Sequence, residues 1–523
     1  MESIIYSKIS DKIIFEQAAK KVYDSFPGEE FSVLTSSCEE RESVHNIIEL
    51  TDDEGLKSFL TGKTLKRVIL LGFERTEILP ITWIVEFLSH GADAISGLYD
   101  GAIGRYSPFK GYEANTILVF PGSMLPLSMG SHQRSFLLLA ALNYSGYYAD
   151  VIITGSNSNA LSRARRLLSA IAPNVYIFKN NKRKLPDALW LRREIERKYR
   201  KLTIKDNKVP ELFADRYSNK ATESLKITLA RLHDENEYKN IIVSYAWMTK
   251  CLDYIPDEKL KETTLICDTH DVQFVRNLSA NKHEKRFMSL QKYDKWLEKK
   301  VLARYDYIGA ISKSDSKELR KHKELAKKVI NVTSAFNYAL KKPRKIGHKP
   351  CLHYGFIGGG MDANVKALAY ILDEWWPVMN SYSPNSKFYI AGSICRNPLI
   401  ASKVFFDESI VKMGFVDSIS DFYDKIDISL NPVLVQGGLN FKSVEAVLAG
   451  KLLITNQLGS QCLGETNIAT IADTQKEFLD IVQKIEIMPG REFNQLLEVR
   501  QKRALEEFGE ATAYNELKKV LVS

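Results

Sequence analysis

Short runs in which nearly every position is apolar or β-branched recur along this chain, separated by longer stretches whose apolar residues return every three or four positions. The runs at 31–35, 67–72, 116–120, 150–154, 240–244, 264–267, 352–358 and 387–391 predict strands, and the stretches between them predict amphipathic helices. Strand alternating with helix in this way predicts an α/β fold layered around parallel sheets. The last stretch, 492–521, has a helical pattern.

Two breaks divide the pattern. A Gly- and Pro-containing segment at 101–111 closes the first, and a basic, Pro-containing segment at 341–350 has linker chemistry. The expected organisation is an accessory α/β domain of unassigned role over 1–113, a central domain over 114–340, a third over 341–490, and C-terminal helices over 491–523 packing back on the central domain. Length agrees, because 523 residues exceed one core and make about three domains at roughly 150 residues each. No short-period repeat or low-complexity tract is present, which excludes solenoid and disordered classes.

Composition is that of an ordinary globular protein, 45% hydrophobic and 26% charged, with a net charge of +9. That charge is uneven, with basic residues crowded into 179–201. The plain reading is a solvated helix face; the sharper one is a patch for an anionic membrane surface or a phosphorylated substrate. No nucleic-acid-binding signature accompanies the basic residues, so nucleic acid is disfavoured as a partner. The six cysteines lie far apart without metal-ligand spacing, which points to a reducing compartment and away from structural zinc. No apolar run reaches about 18 residues, and the N-terminus lacks a basic region followed by an apolar one. The expectation is a cytoplasmic protein, at most peripheral on the cytoplasmic membrane face.

Residues 431–450 carry the clearest chemistry, reading as strand, glycine turn and helix. A helix N-terminus offers unpaired N–H groups and partial positive charge, and Gly437 and Gly438 let a diphosphate approach that backbone. Asn440 is a fair N-cap. At about 100° per residue, Phe441, Val444 and Leu448 form a core stripe, while Lys442, Glu445 and Ala449 form a neighbouring stripe able to face a cleft. The competing reading makes Lys442 and Glu445 an i,i+3 ion pair on a solvated face.

Four other segments end a predicted strand and open a helix. Gly130, Ser131 and Arg134 follow the strand at 116–120, where open α/β sheets bind ligands; alone they are a turn glycine and a surface charge. Asp268, His270 and Asp271 follow the strand at 264–267 and suit a sugar hydroxyl or proton transfer, or a structural histidine beside a capping aspartate. Ser312 and Ser314 either bind a ligand or cap a helix. Gly358, Gly360 and Ala363 match a GxGxxA dinucleotide pattern, yet the next strand ends without the expected acidic residue; Arg396 there leaves an NADP reading open.

In order and spacing these segments resemble the GT-B glycosyltransferases, and among them family 4, the retaining nucleotide-sugar transferases. The likeness is close in the C-terminal half: 356–360, Asn364, Trp375 to Pro377, 388–392, 414–416, 422–427, Asn431, Pro432, 437–450, Thr455 and Gly459. In the central part it is fainter, running through Gly130 to Arg134, Asp268 to Asp271, Glu298, Asp306 and Ser312, and it does not reach the first hundred residues. The resemblance implies two Rossmann-like domains facing a cleft, plus the N-terminal α/β domain. It implies a donor site of Gly358, Gly359, Gly360, Asn364, Gly392, Arg396, Gly437, Gly438, Leu439, Asn440, Lys442 and Glu445. In that site Glu445 would hold the ribose hydroxyls and Lys442 would neutralise phosphate. His270 would sit near the transferred sugar, so His270, Lys442 and Glu445 are the catalytic candidates, with Gly130, Ser131, Arg134, Asp268, Asp271 and Ser312 on the acceptor side.

What the resemblance implies for function is a hexosyltransferase-like enzyme that needs no metal or other cofactor. Its nucleotide-sugar donor would serve a glycan, lipid-linked saccharide or protein acceptor in cell-surface polysaccharide or glycoconjugate biosynthesis. Alternatives are a non-catalytic scaffold on the same fold, or a nucleotide-sugar epimerase or hydrolase. Two departures bear on the choice. Gly437 stands where the family often has the first of two glutamates, and Asn364 stands where a lysine is expected, with Lys366 two residues on. Lys442 or Arg396 is the expected substitute cation.

Overall fold

The computed structural model describes residues 2–7, 12–26, 31–35, 47–49, 56, 60, 65–71, 73–74, 77–89, 92–99, 102–127, 129–179, 221–280, 288–336, 351–416, 419–435, 437–464 and 466–522. Most of the basic segment 179–201 and all of the linker segment 341–350 lie outside the described residues.

Three sheets carry the chain. The first contains β1 (Glu2–Ser7), β2 (Phe31–Thr35), β3 (Ile47–Glu49), β4 (Leu65–Leu71), β5 (Ile95–Tyr99) and β6 (Ala102–Arg105), in the order β3-β2-β1-β4-β5-β6. Its strands pair in parallel except at β5 and β6. Ile5, Ile69 and Leu71 from the strands meet Ala18, Ala19 and Val22 of the helix Lys12–Ser25 to form its core. The second sheet contains β7 (Thr116–Phe120), β8 (Ala149–Gly155), β9 (Val175–Lys179), β10 (Asn240–Ser244), β11 (Thr264–Asp268), β12 (Tyr307–Ala310) and β13 (Val329–Asn331), in the order β13-β12-β11-β10-β7-β8-β9. The third contains β14 (Tyr354–Ile357), β15 (Phe388–Ala391), β16 (Ile410–Gly414), β17 (Ile428–Leu430), β18 (Leu452–Thr455) and β19 (Thr470–Ile471), in the order β16-β15-β14-β17-β18-β19.

In each sheet the first strand is internal: the next two lie on one side of it and the later ones on the other. Strand order therefore reverses between β1 and β4, between β7 and β10, and between β14 and β17. Connections leaving such a point diverge and open a crevice at the strand ends, which is where doubly wound sheets bind ligands. The N-terminal segment shares this winding, a point the local hydrophobic pattern did not disclose.

Sequence explains why the central strands are so well defined. All five residues of β7 and of β10 are buried, as fits parallel strands covered on both faces by helices. Pro377 cannot donate into a helix ladder, and the chain meets it with a π turn, Ile371–Trp375, before the helix Trp376–Tyr382. That turn sends Trp375 onto Phe478 and Trp376 onto Phe388, with ring centroids 4.9 and 5.2 Å apart.

By compactness the chain divides into two units. One comprises Met1–Pro108, Ser312–Ser314 and Thr333–Tyr514; the other comprises Phe109–Ile311, Asp315–Val332 and Asn515–Ser523. In the first, the helix Gly490–Phe508 buries Phe493 and Leu497 in the core of the third sheet, and Gln501 Nε2 donates to the Leu448 carbonyl at 2.7 Å. In the second, the chain end is tied to the second sheet: Asn240 exchanges hydrogen bonds of 2.7 and 2.9 Å with the Val522 backbone, and Glu516 accepts from Asn331 N.

Candidate functional site

In the first unit, candidate residues gather at the ends of β14 and β15. The chain leaves β14 through Gly358, Gly359 and Gly360 and enters the helix Asp362–Tyr370. Gly392, at φ +95°, leaves no room for a Cβ against the Gly358 carbonyl, so the two loops interlock only through glycine. Gly360 N donates to Ser393 Oγ at 3.2 Å, and Asn364 Nδ2 donates to the Gly359 carbonyl at 3.0 Å. A methyl at Gly360 would meet nothing within 4 Å, so the loop borders open space there.

Lys442 reaches this loop from the helix Phe441–Leu448. Its Nζ donates to Asn364 Oδ1 at 2.6 Å and lies 4.2 Å from the centre of the Phe356 ring. Burial pushes the ammonium down from 10.5 to about 7, against the opposing pull of the Glu445 carboxylate. Of the expected substitute cations, Lys442 is the one brought to the glycine loop. Arg396 is exposed, and Lys366 is turned to Asp362 at 2.8 Å on an exposed helix face.

Glu445 is 7% exposed, which removes the reading of Lys442 and Glu445 as an ion pair on a solvated face. Val444 and Leu448 are buried, and Phe441 packs on Phe336 with centroids 5.1 Å apart. Asn440 occupies the N-cap position but makes no side-chain cap hydrogen bond. The approach to the helix is held by Asn431 and Thr455, which carry the resemblance, and by Asn456, which the sequence reading did not single out. Asn431 Nδ2 donates to the buried Ser443 Oγ at 2.5 Å, Thr455 Oγ1 donates to the Asn431 carbonyl at 2.7 Å, and Asn456 Oδ1 accepts from Val433 N at 2.9 Å. Gly437 and Gly438 have φ of +153° and +63°, values that glycine tolerates best, and Leu439 is buried. At Gly437 the backbone has thus taken a conformation that disfavours the family's glutamate.

In the second unit, candidate residues gather at the ends of β7, β10 and β11, spanning the reversal in strand order. Arg134, on the helix Gly130–Tyr144, is fully buried. Its Nε donates to Asp268 Oδ1 and Oδ2 at 3.1 and 3.2 Å, and its Nη2 contacts Asp268 Oδ1 and the Val332 carbonyl, the latter at 2.6 Å. Burial works against the Asp268 charge, but Arg134 and His270 outweigh it and hold the carboxyl well below the usual range. His270 Nε2 lies 3.0 Å from Asp268 Oδ2 and 3.3 Å from Ser135 Oγ. Its ring stacks on Tyr245, centroids 4.2 Å apart and planes 15° apart, and Tyr245 in turn stacks on Trp247. Burial pushes the Tyr245 phenol up to about 12, opposed by its hydrogen bond with Ser131.

Met124, Tyr245 and His270 all have positive φ, of 64°, 68° and 56°. Three non-glycine residues in this region at adjacent strand ends mark a locally over-determined site. Tyr245 and Trp247 went unremarked in the sequence; the signal available was their place directly after β10.

The remaining candidates have local duties. Asp271 is held by Arg276 at 2.8 Å and by Gln273. Glu298 accepts from Gln273 N and Phe274 N at 3.0 and 2.8 Å, capping the helix Gln273–Ala280, and Asp306 accepts from Leu265 N at 2.9 Å. Ser312 Oγ bonds Ser314 Oγ at 2.9 Å. Gly130 and Ser131, both half-buried, form the first turn of their helix. Among the described residues, no group of three or more His, Cys, Asp or Glu side chains is arranged to hold a metal ion, and no helix is long and apolar enough to cross a membrane.

Two doubly wound sheets, each with candidate residues at its switch point, define the fold that comparison with known proteins identifies as GT-B. Residues 352–486 match the family model described as Glycosyl transferases group 1. Among solved structures, the chain is similar to HepE of Anabaena (12% identity, 77% of this chain and 98% of that one, TM-score 0.51). It is also similar to sucrose-phosphate synthase of Thermosynechococcus elongatus (11%, 77% and 97%, TM-score 0.54). A TarM variant of S. aureus is a third (9%, 78% and 99%, TM-score 0.53). An uncharacterized 42.6 kDa protein in the cps region of Klebsiella pneumoniae is 30% identical over 103 residues, a match spanning 20% of this chain and 26% of that relative.

Proposed function

We propose that this protein transfers a sugar, with retention of configuration, from a nucleoside diphosphate sugar to a glycan, lipid-linked saccharide or protein acceptor in cell-surface glycoconjugate biosynthesis. The observation that carries this reading is the Lys442 ammonium, held by Asn364 beside the glycine loop after β14. A half-buried cation beside open backbone suits a diphosphate, and no metal is needed where such a group offsets the charge on the departing nucleotide. Glu445 is assigned to the ribose hydroxyls, Gly437 and Gly438 to the diphosphate or sugar, and His270 to the transferred sugar. Gly130 and Ser131 are assigned to the acceptor. HepE was crystallised with UDP, with UDP and glucose, and with UDP-glucose, and TarM with UDP. UDP-glucose is therefore the first donor to test.

Nucleotide release from UDP-, GDP-, ADP- and TDP-linked sugars, with and without added acceptor glycans, tests the proposal. Lys442→Ala and Glu445→Ala should each lower turnover by at least about tenfold, as loss of a charge-assisted contact in the transition state implies. Full activity in both variants would overturn the site assignment. The backbone at Gly437, which disfavours glutamate, favours a second reading, a binding protein without turnover. It would show donor binding with no product under any acceptor.

A further inference from the structure

We propose that the buried pair Arg134 and Asp268 is a positioning device for His270: it fixes the tautomer with the proton on Nε2, so that Nδ1 is the nitrogen offered to a ligand. Both residues had been expected to touch the acceptor, yet Arg134 is fully buried and Asp268 is 2% exposed. What they touch is the histidine. Asp268 Oδ2 lies 3.0 Å from Nε2, and an ionised carboxylate can only accept, so in a neutral ring Nε2 carries the hydrogen and Nδ1 the lone pair. The carboxylate stays ionised because the Arg134 fork grips both of its oxygens.

Arg134 cannot drift, because its Nη2 is also tied to the Val332 carbonyl. The ring cannot turn freely, because one face stacks on Tyr245 and Phe120 stands 6.0 Å away. The Ser135 hydroxyl approaches the same Nε2 at 3.3 Å, so every described polar contact of the ring falls on that nitrogen. Nδ1 then acts as an acceptor for a hydroxyl hydrogen. That the hydroxyl belongs to a sugar rests on the glycosyltransferase reading; the tautomer does not.

The test is the long-range proton–nitrogen spectrum of the full chain labelled with ¹⁵N-histidine, without substrate, His270 being assigned by the signal lost in His270→Gln. The expected result is an Nε2 in the protonated range and an Nδ1 in the unprotonated range. A protonated Nδ1, or tautomers averaged as in free imidazole, would overturn the proposal. In Asp268→Asn the preference should weaken toward the average, and Arg134→Lys, which keeps the charge but loses the fork, should weaken it less. An unchanged preference in a folded Asp268→Asn would also overturn it, and if that variant does not fold, the wild-type spectrum decides alone. A failed donor screen with the expected spectrum would remove the enzymatic reading and leave the positioning pair standing.

Discussion

Binding of a nucleotide sugar should draw a proton onto Lys442. In the free protein burial holds this ammonium at about 7, well below its ordinary 10.5, so at pH 8 roughly one lysine in ten carries its charge. A diphosphate beside Nζ supplies the opposite charge that burial withholds and returns the group toward its ordinary value. The difference is about 0.9 proton taken up per donor bound at pH 8, falling to about 0.1 at pH 6, where the lysine is already charged. The sign also governs stability without ligand. Between about 7 and 10.5 the unfolded chain binds the extra proton, so this residue's contribution rises with pH; its penalty is complete below about 7 and absent above 10.5. The diphosphate of a nucleotide sugar is esterified at both ends and does not titrate near neutrality, so the protons counted belong to the protein. Isothermal titration with UDP-glucose in Tris and in HEPES, whose ionisation enthalpies differ, reads the number directly. Binding without proton uptake at pH 8, or equal uptake in Lys442→Met, would refute the placement of Lys442 at the phosphates.

Other consequences follow from the same contacts. Gly392→Ala forces a methyl against the Gly358 carbonyl and should lower donor affinity by about tenfold or more while lowering the melting temperature, since the loop must shift to admit it. Gly437→Glu, which restores the family's residue, should destabilise by about 1–3 kcal/mol and give no gain in turnover, because φ there is +153°. Asp268→Ala leaves Arg134 charged, buried and unpaired and should cost about 3–5 kcal/mol in denaturant unfolding; Arg134→Met with Asp268→Leu should recover much of that loss. If the basic segment 179–201 meets an anionic membrane, co-sedimentation with phosphatidylserine vesicles should fall when its lysines and arginines are replaced by glutamine, and should weaken in high salt.

Legibility in the sequence followed the range of the interaction. β2, β7 and β10 stand where apolar, β-branched runs predicted them, and at β7 and β10 the reason is that full burial in a parallel sheet writes itself into consecutive residues. The winding of the first sheet was not legible: strand order is set by packing between distant elements, and β3 is only three residues long. Lys442 and Asn364 are 78 residues apart; the resemblance flagged Asn364 as a departure and offered Lys442 or Arg396 as the substitute cation, but only the fold brings Lys442 onto Asn364. Arg134 and Asp268 are 134 residues apart, and both read as acceptor-side groups because polar residues at strand ends look alike until burial is known. Tyr245 and Trp247 carry no motif in the sequence, and their place after β10 shows its meaning only once the strands are assembled. Tyr245 has a positive φ, and its ring stacks on His270.

The central claim is that the turn at 431–448 and the glycine loop at 358–360 together hold a nucleoside diphosphate sugar. Thermal stability measured against a panel of UDP-, GDP-, ADP- and TDP-linked sugars tests it most directly. One of them, at 100 times its dissociation constant, should add about 2.7 kcal/mol of stability to the wild type and little to Lys442→Ala or Glu445→Ala. Stabilisation by none of the panel, or equal stabilisation of wild type and both variants, would contradict the claim.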